Sequence, residues 1–478
     1  MGVLTNEIPQ GMLLSMPSIM LPALLSPESN IKVDFNTASW IASIIGAGGI
    51  LGFMLSAIIM EVYGRKRAYI FSVTLGIIGW TCVYFGTAVP VLLIGRLLGG
   101  VASCSTASIG SVVIGEYTNP RIRSIFLNLK VAGIWSGILL VHILGHFLYW
   151  KTVILVPITL GATSFAIVST WPESPSWFAT KNNFMECERT FYWLRGKSTN
   201  SVHELKELIK TQQDRHSSKP VDSTVHTRIK QFFKKMTRKD FVKPIFIIIL
   251  CGILLESSGA HYFPGYALQI IEEIIGNKTN TFYCTLAFDI VILMGVIFSS
   301  VLVRFFKKRT IVFTTGFLSF VILYLLSLYI FLASKNVISK ERTYIPITFL
   351  GIYLVLNSLG SFTITMSLLG EIFPLEYKES ATCISSSFLA FILMSGMQVA
   401  PHMLANFKVH GTFVATGAVM FIMLVSLWFV LPETKDKTLQ EIENYFNHGR
   451  YGAVDVDNEK LVMKPIKSSH DSTTDSLY

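Results

Sequence analysis

Three ionisable residues lie inside long apolar stretches of the sequence, where a charge is expensive and therefore indicates a function. Glu256 and His261 belong to the segment LESSGAHYFPGY at 255–266, and Asp289 lies further along the chain. A carboxylate and an imidazole can bind the hydroxyl groups of a polar ligand or carry a proton. We predict a ligand or proton role for Glu256, with an internal structural pair as the alternative. Asp289 is predicted to be a satisfied hydrogen-bonding residue.

Two histidines and six cysteines are the other candidates for site chemistry. His142 and His146 stand four residues apart on one helix face, a spacing that can hold a metal ion. Because no further ligands align with them, helix packing or a place in an outer vestibule is the preferred interpretation. The cysteines are scattered without C-x-x-C spacing, which favours packing. No nucleophile–base set, phosphate loop or metal cluster is present in the sequence, so we predict neither an enzyme nor a cofactor.

The composition places these residues in a membrane protein. Of the 478 residues, 51% are hydrophobic and only 15% are charged, and the mean hydropathy is +0.53. Apolar windows long enough to cross a bilayer as a helix, roughly 20 residues each, recur along the chain. Together with a partial window at 11–25 they predict about twelve spans, at 39–59, 69–86, 91–113, 125–150, 152–170, 244–271, 281–303, 310–332, 344–372, 381–405 and 412–431.

The net charge of +10 does not indicate nucleic-acid binding, because the cations lie in alternate joints between spans. They occur in GRKR at 64–67, NPRIR at 119–123, the segment 181–243 and FFKKR at 305–309, while KNVISKER at 335–342 is an exception. By the positive-inside rule these joints, and both termini, face the cytoplasm. The sequon at Asn277 then lies in an external loop, where glycosylation is predicted.

The sequence also contains a repeat. WPESPSWFA at 171–179 has a counterpart in LPETKDKTLQEIE at 431–443, and GEYTNPRIRS at 115–124 has one in GEIFPLEYKES at 370–380. The two pairs are separated by nearly the same length of chain, so we predict two related halves of six helices each. The predicted domains are residues 1–170, a cytoplasmic linker with short helices at 171–243, a second bundle at 244–431, and a mostly disordered tail at 432–478.

These motifs resemble those of a known family. YGRKR, GRLLGG, GEYTNPRIR, WPESPSWF, EIFPLEYKE and LPETKDKTLQEIE match, in order and spacing, the motifs of the sugar-porter branch of the major facilitator superfamily. Within that branch, YWLRGKSTNSVHELKELI at 192–209 is most similar to the insect facilitated trehalose transporters. The resemblance implies an all-α membrane protein with the major facilitator fold, in which two six-helix bundles rock about a central solute site.

The resemblance also implies an inner gate of charged residues at the cytoplasmic ends of the bundles. Ion pairs there are individually weak, about 0–1 kcal/mol when wet, but several together can bias a two-state equilibrium. The alternative is that these residues only anchor helix ends. The predicted gate residues are Arg65, Glu116, Arg123 and Glu173 in the first half and Glu371, Lys378 and Glu433 in the second.

The substrate path departs from the family pattern. The seventh helix of sugar porters typically carries Gln-Gln-x-Ser-Gly-x-Asn, whereas this sequence keeps only the Ser-Gly pair and has Glu256 and His261 at a Gln and the Asn. Gly259, Pro264 and Gly265 are predicted to break the helix. By alignment with the family, the predicted substrate-binding residues are Glu256, Ser258, Gly259, His261, Tyr266, Val131 and Met366.

We therefore predict a monomeric facilitative carrier of a sugar, trehalose or a hexose, or of a related polar solute, in the plasma membrane. The alternatives are a non-transporting nutrient sensor and a carrier of a non-sugar solute, since most sugar contacts are altered. The first helix is predicted to be half missing, because the span begins almost at Met1 and contains Pro9, Pro17 and Pro22. Its apolar window is GMLLSMPSIMLPAL. This window has no acidic residue of the kind that proton-coupled sugar symporters carry there.

Overall fold

The computed structural model describes residues 1–118, 120–197, 199–217, 238–276, 278–338, 343–373, 378–435, 441–442 and 445–446. Within these residues, eleven helical stretches are long and apolar enough to cross a membrane, and the last of them contains two spans. The prediction of an all-α protein with about twelve spans is therefore confirmed. The first to sixth spans form the N-bundle and the later ones the C-bundle. The stretches are Gly2–Leu25, Phe35–Tyr63, Arg65–Phe85, Val89–Tyr117, Ile125–Phe147, Trp150–Ser169, Phe241–Ile275, Asn280–Val303, Lys308–Ser334, Tyr344–Leu369 and Ser380–Val430.

The first span begins at Gly2, so the predicted partial helix from residue 11 is wrong. It consists of helices Gly2–Ser15 and Pro17–Leu25, and Pro17 starts the second one, where its missing N–H costs nothing. The polar residues Asn6, Glu7 and Gln10 lower the hydropathy of this part of the sequence but are buried inside the bundle. The first span therefore does carry an acidic residue, Glu7, whose Oε1 lies 3.7 Å from Lys130 Nζ.

The eleventh and twelfth spans meet at a sharp turn within Ser380–Val430. Lys408 adopts φ +58°, a left-handed conformation that is uncommon for residues other than glycine. The backbone N–H of Val409, at the start of the twelfth span, donates to Glu273 Oε1 at 3.2 Å. The end of the seventh span thus fixes this turn by a side-chain cap.

The bundles are packed together more extensively at one end than at the other. We call the end that carries Tyr63, Arg65 and Tyr117 the basic end, and the opposite end, with Phe35 and Phe85, the far end. The largest buried apolar cluster lies toward the far end and joins both bundles. Two smaller clusters lie toward the basic end, and each belongs to a single bundle.

Two spans of the C-bundle are interrupted near their middle. In the seventh span one helix ends at Ser257 and the next begins at Tyr262, with Gly259 at φ +80°, which confirms the predicted break. Pro264 lies in the first turn of the second helix and not in the break itself. The tenth span has one π-helical turn, Ser358–Phe362. Irregular backbone inside a membrane is tolerated only beside protein or water, so both breaks mark an internal cavity.

Candidate functional site

A narrow cavity lies between the two bundles, beside both helix breaks. Its lining includes Trp135 of the N-bundle and Ser258, Gly259, Asn357 and Phe362 of the C-bundle. The Trp135 and Phe362 rings meet edge to face, with centroids 5.8 Å apart and planes at 74°. The cavity is therefore lined from both bundles, as a site at the centre of an alternating-access carrier must be.

Two polar side chains in this cavity lack protein partners. Trp135 Nε1 and both amide atoms of Asn357 are buried and make no hydrogen bond of normal geometry, although the Tyr353 hydroxyl, which donates to the Ser258 carbonyl at 3.1 Å, lies near the Asn357 amide. An unsatisfied buried polar group costs about 1–3 kcal/mol, so a native protein retains it for a reason. The indole N–H donates, and the amide both donates and accepts. A polyhydroxylated solute placed between them would meet all three atoms.

Sequence reasoning missed both residues. The residue predicted to bind the substrate on the fifth span is Val131, which is half-buried against the apolar core. Trp135 lies one helical turn further along this span. The available signals were an indole in the middle of a span and a lone amide in YLVLNSLG, because polar groups inside a membrane segment mark a functional path.

The predicted carboxylate and imidazole of the seventh span contact each other across the break. His261 Nδ1 lies 2.8 Å from Glu256 Oε2, while Glu256 Oε1 is buried without a hydrogen-bond partner. A β-carbon at Gly396 of the eleventh span would lie 2.2 Å from Glu256 Oε1, so the carboxylate is packed against that helix. Glu256 and His261 do not line the cavity described above.

The remaining predicted solute residues are dispersed. Ser258 lines the cavity, but its hydroxyl donates to the Leu255 carbonyl at 2.7 Å. Tyr266 is buried and its hydroxyl has no hydrogen-bond partner, yet it does not line the cavity. Met366 is 38% exposed on the tenth span and lies outside the cavity lining. Of the seven predicted residues, the structure brings only Ser258 and Gly259 into this cavity.

At the basic end of the N-bundle, two glutamates hold the start of the third span. Arg65 Nη2 lies 3.0 Å from Glu116 Oε1. Glu173 accepts hydrogen bonds from the backbone N–H groups of Arg65, at 2.7 Å, and Lys66, at 3.0 Å. Glu173 is thus a cap on a helix N-terminus, where a negative charge is stabilised by unpaired N–H groups and the helix dipole. Gly64 makes room for it, since a β-carbon there would lie 2.4 Å from Glu173 Oε2.

The C-bundle repeats this cap. Glu433 accepts from the backbone N–H groups of Lys308, at 3.3 Å, and Arg309, at 3.1 Å, which begin the ninth span. The Pro-Glu pairs of the two sequence repeats therefore have the same structural role in both bundles. The side chains of Arg123, Glu371 and Lys378 lie outside the described residues, as does Asn277, so their predicted roles stay predictions.

We expect Glu173→Ala to lower the stability of the protein by about 1–2 kcal/mol, the usual cost of losing a helix N-cap. Glu61→Ala is the matched control, because Glu61 is exposed at the same end and only its backbone carbonyl accepts a bond, from Trp177 Nε1. Thermal unfolding in detergent would show the difference. Equal midpoints for the two variants would contradict the cap.

Solved structures share this fold. The proton:xylose symporter XylE bound to 6-bromo-6-deoxy-D-glucose matches with a TM-score of 0.73 and 15% identity, over 93% of this chain and 98% of that one. XylE from E. coli in an inward-open conformation matches with a TM-score of 0.74 and 16% identity, over 92% and 98%. The fold is thus that of a major facilitator transporter, which confirms the predicted fold class.

Residues 17–446 match the family model described as sugar (and other) transporter, and the chain belongs to this family. The facilitated trehalose transporter Tret1 of Culex quinquefasciatus is 25% identical over 429 residues, which cover 88% of this chain and 80% of that protein. Tret1 of Aedes aegypti is also 25% identical over 429 residues, but the chain spans only 52% of its length. The resemblance stated from the motifs is confirmed.

Proposed function

We propose that this protein carries a sugar or a related polar solute across the plasma membrane by alternating access, as a monomer and without a cofactor. The basic end and both termini face the cytoplasm, because the basic joints lie there. Trehalose is the first solute to test, since the curated relatives at 25% identity are named for it. Hexoses follow, because the altered sugar contacts leave the size of the solute open.

The observation that carries this proposal is the pair of unpartnered polar side chains in the cavity. Trp135 belongs to the N-bundle and Asn357 to the C-bundle, and both are buried. A solute that bonds to both couples its own binding to the relative position of the bundles. Such differential binding to two conformations is what lets a ligand drive a conformational change.

The packing supports an inward-facing arrangement. Apolar packing that joins the bundles is concentrated at the far end, and each bundle has its own core at the basic end. Rocking toward the outward-facing state would separate the far-end cluster and bring the basic ends together. The charged groups at the basic end then act as the inner gate.

The experiment is uptake by liposomes that contain the purified protein, with trehalose, hexoses, polyols and a cationic solute tested separately. Ligand-induced thermal shift on the same panel measures binding without transport. Saturable uptake of a sugar supports the carrier. Thermal stabilisation without uptake of any solute would instead identify a sensor, and transport of the cationic solute alone would assign a non-sugar carrier.

We expect Glu116→Gln combined with Glu371→Gln to shift the protein further toward the inward-facing state and to slow turnover without loss of expression. Glu116 pairs with Arg65 of its own bundle in this structure, so the gate consists of the further contacts that the two carboxylates make when the basic ends meet. Each such contact, worth up to about 1 kcal/mol, changes the equilibrium by up to about fivefold when it is lost. The reporter is maleimide labelling of Cys383, whose Sγ contacts the Phe53 carbonyl across the bundles at 3.6 Å.

The labelling needs a low background and a matched control. Burial raises the pKa of the Cys187 thiol, on the short helix Phe184–Arg195 after the sixth span, to about 11, so this thiol contributes little background at neutral pH. Glu61→Gln is the control, because it removes an exposed carboxylate of the same end. Cys383 labelling that is unchanged in the double variant would remove Glu116 and Glu371 from the gate.

A further inference from the structure

A buried contact between a histidine and an aspartate joins the two bundles in the far half of the molecule. His142 of the fifth span has its Nδ1 2.6 Å from Asp289 Oδ2 of the eighth span. Its Nε2 lies 3.2 Å from the carbonyl oxygen of Pro264 in the seventh span. His142 and Asp289 are 1% and 3% exposed. The predicted hydrogen-bonding role of Asp289 is confirmed, but its partner is on the other bundle.

The two partners of His142 determine how many protons the contact holds. A carbonyl oxygen can only accept, so an imidazole that hydrogen-bonds to both partners carries a hydrogen on Nε2. A neutral ring would then present a bare Nδ1 to the carboxylate, and two acceptors at 2.6 Å repel unless a proton lies between them. The contact therefore holds a second proton, shared as imidazolium with carboxylate or as imidazole with carboxylic acid. In both forms the pair is neutral, which suits its burial.

The arrangement that holds this proton exists only while the bundles are in contact there. Opening the far end moves the fifth span away from the seventh and eighth spans, and His142 loses both acceptors. Water then reaches both groups. The imidazole can then be neutral while the carboxylate is ionised, because neither group depends on the other. We propose that His142 and Asp289 form a proton-binding site that closes the far end, so that opening this end releases a proton. This goes beyond the proposed carrier function, which requires no proton.

Other ionisable groups near the contact have different partners. Arg96 of the fourth span donates to the carbonyls of Leu13, Ile41 and Ala42. The ring of His146, one turn along the fifth span, stacks on Phe282 with centroids 3.8 Å apart, which confirms the packing role predicted for it. Glu256 and His261 of the seventh span contact each other. Among the described residues, the remaining ionisable side chains on the first, fourth, fifth, seventh, eighth and tenth spans and at the start of the sixth are Glu7, Cys104, Glu116, Tyr117, Lys130, Lys151, Lys243, Cys251, Tyr262, Tyr266, Glu272, Glu273, Tyr283, Cys284, Tyr344 and Tyr353.

The test measures the far-end opening directly as a function of pH. Spin labels at Glu28→Cys and Val337→Cys, both exposed and on different bundles, report the separation of the far ends. The six native cysteines are replaced by alanine, and uptake is checked in that background. If one proton is linked to closure, the ratio of open to closed far ends rises by up to about tenfold per pH unit. This dependence should vanish in His142→Gln combined with Asp289→Asn, which keeps size and hydrogen bonding.

His146→Gln is the matched control, since it removes a histidine from the same helix face without touching Asp289, and it should keep the wild-type pH dependence. Asp289→Asn alone is the second variant, and it should lose the dependence with His142 intact. A wild-type distance that does not change with pH, or a dependence that survives in the His142 and Asp289 variants, overturns the proposal. Loss of the pH dependence in His146→Gln would also overturn the proposal. Uptake by these variants is scored separately and tests the carrier function only.

Discussion

Asn357→Leu is expected to weaken binding of the transported sugar by about 10- to 100-fold, because the solute loses hydrogen bonds worth roughly 0.5–1.5 kcal/mol each. The empty protein should be at least as stable as wild type. The amide makes no hydrogen bond of normal geometry, the nearby Tyr353 hydroxyl donates to the Ser258 carbonyl instead, and leucine fills a similar volume without a desolvation cost. Loss of binding with unchanged or higher thermal stability distinguishes a ligand residue from a structural one. The measurements are ligand-induced thermal shift and uptake.

Trp135→Phe extends this test to the other bundle. It removes the indole N–H but keeps a ring that can still meet Phe362, so we expect a smaller loss, about 3- to 10-fold for one hydrogen bond. Asn280→Leu is the control for a lost amide, because Asn280 is exposed at the far end of the eighth span. If Asn357→Leu shows the same sugar-induced thermal shift and uptake as wild type, the solute binds elsewhere.

Glu256 lies outside the cavity lining, so its role in the solute path is tested separately. Such a role predicts that Glu256→Gln changes the selectivity of the carrier by up to about tenfold, the change expected when one hydrogen bond worth about 0.5–1.5 kcal/mol is altered. An ionised carboxylate only accepts, so it favours solutes that offer several donors or a positive charge. An amide also donates, and the variant should favour ordinary sugars more. The comparison is uptake of hexoses, disaccharides, polyols and cationic solutes by the two proteins.

The control for this variant is Glu272→Gln, which neutralises an exposed carboxylate of the same span. It should leave the selectivity profile unchanged. Identical profiles for wild type and Glu256→Gln would remove Glu256 from the solute path. The carboxylate would then be a structural partner of His261, held against Gly396.

Sequence patterns predicted the fold because membrane spans and repeated motifs are local signals. Long apolar windows identify spans without knowledge of their neighbours, and Pro-Glu recurs because each bundle needs the same helix cap. The predicted start of the first span is wrong because hydropathy is also a local signal. Hydropathy averages over a window, and it cannot register that Asn6, Glu7 and Gln10 face the bundle interior.

The cavity could not be predicted from linear alignment because its lining depends on two helix breaks. The break at Gly259 and the π-helical turn at Ser358–Phe362 change which side chains face inward. Glu256 stands at an aligned substrate position, yet it packs toward Gly396 and contacts His261. Asn357 precedes the π-helical turn and lines the cavity. Only the three-dimensional arrangement shows which polar atoms lack partners.

Solute counterflow tests the central claim most directly, because only a site that opens alternately to the two sides can exchange one molecule for another. Liposomes containing the protein are loaded with unlabelled sugar and diluted into a trace of the labelled sugar. We predict transient accumulation of label above equilibrium for trehalose or a hexose, and its loss in Asn357→Leu. Label that never exceeds the level in protein-free liposomes, for every solute of the panel, would contradict the account.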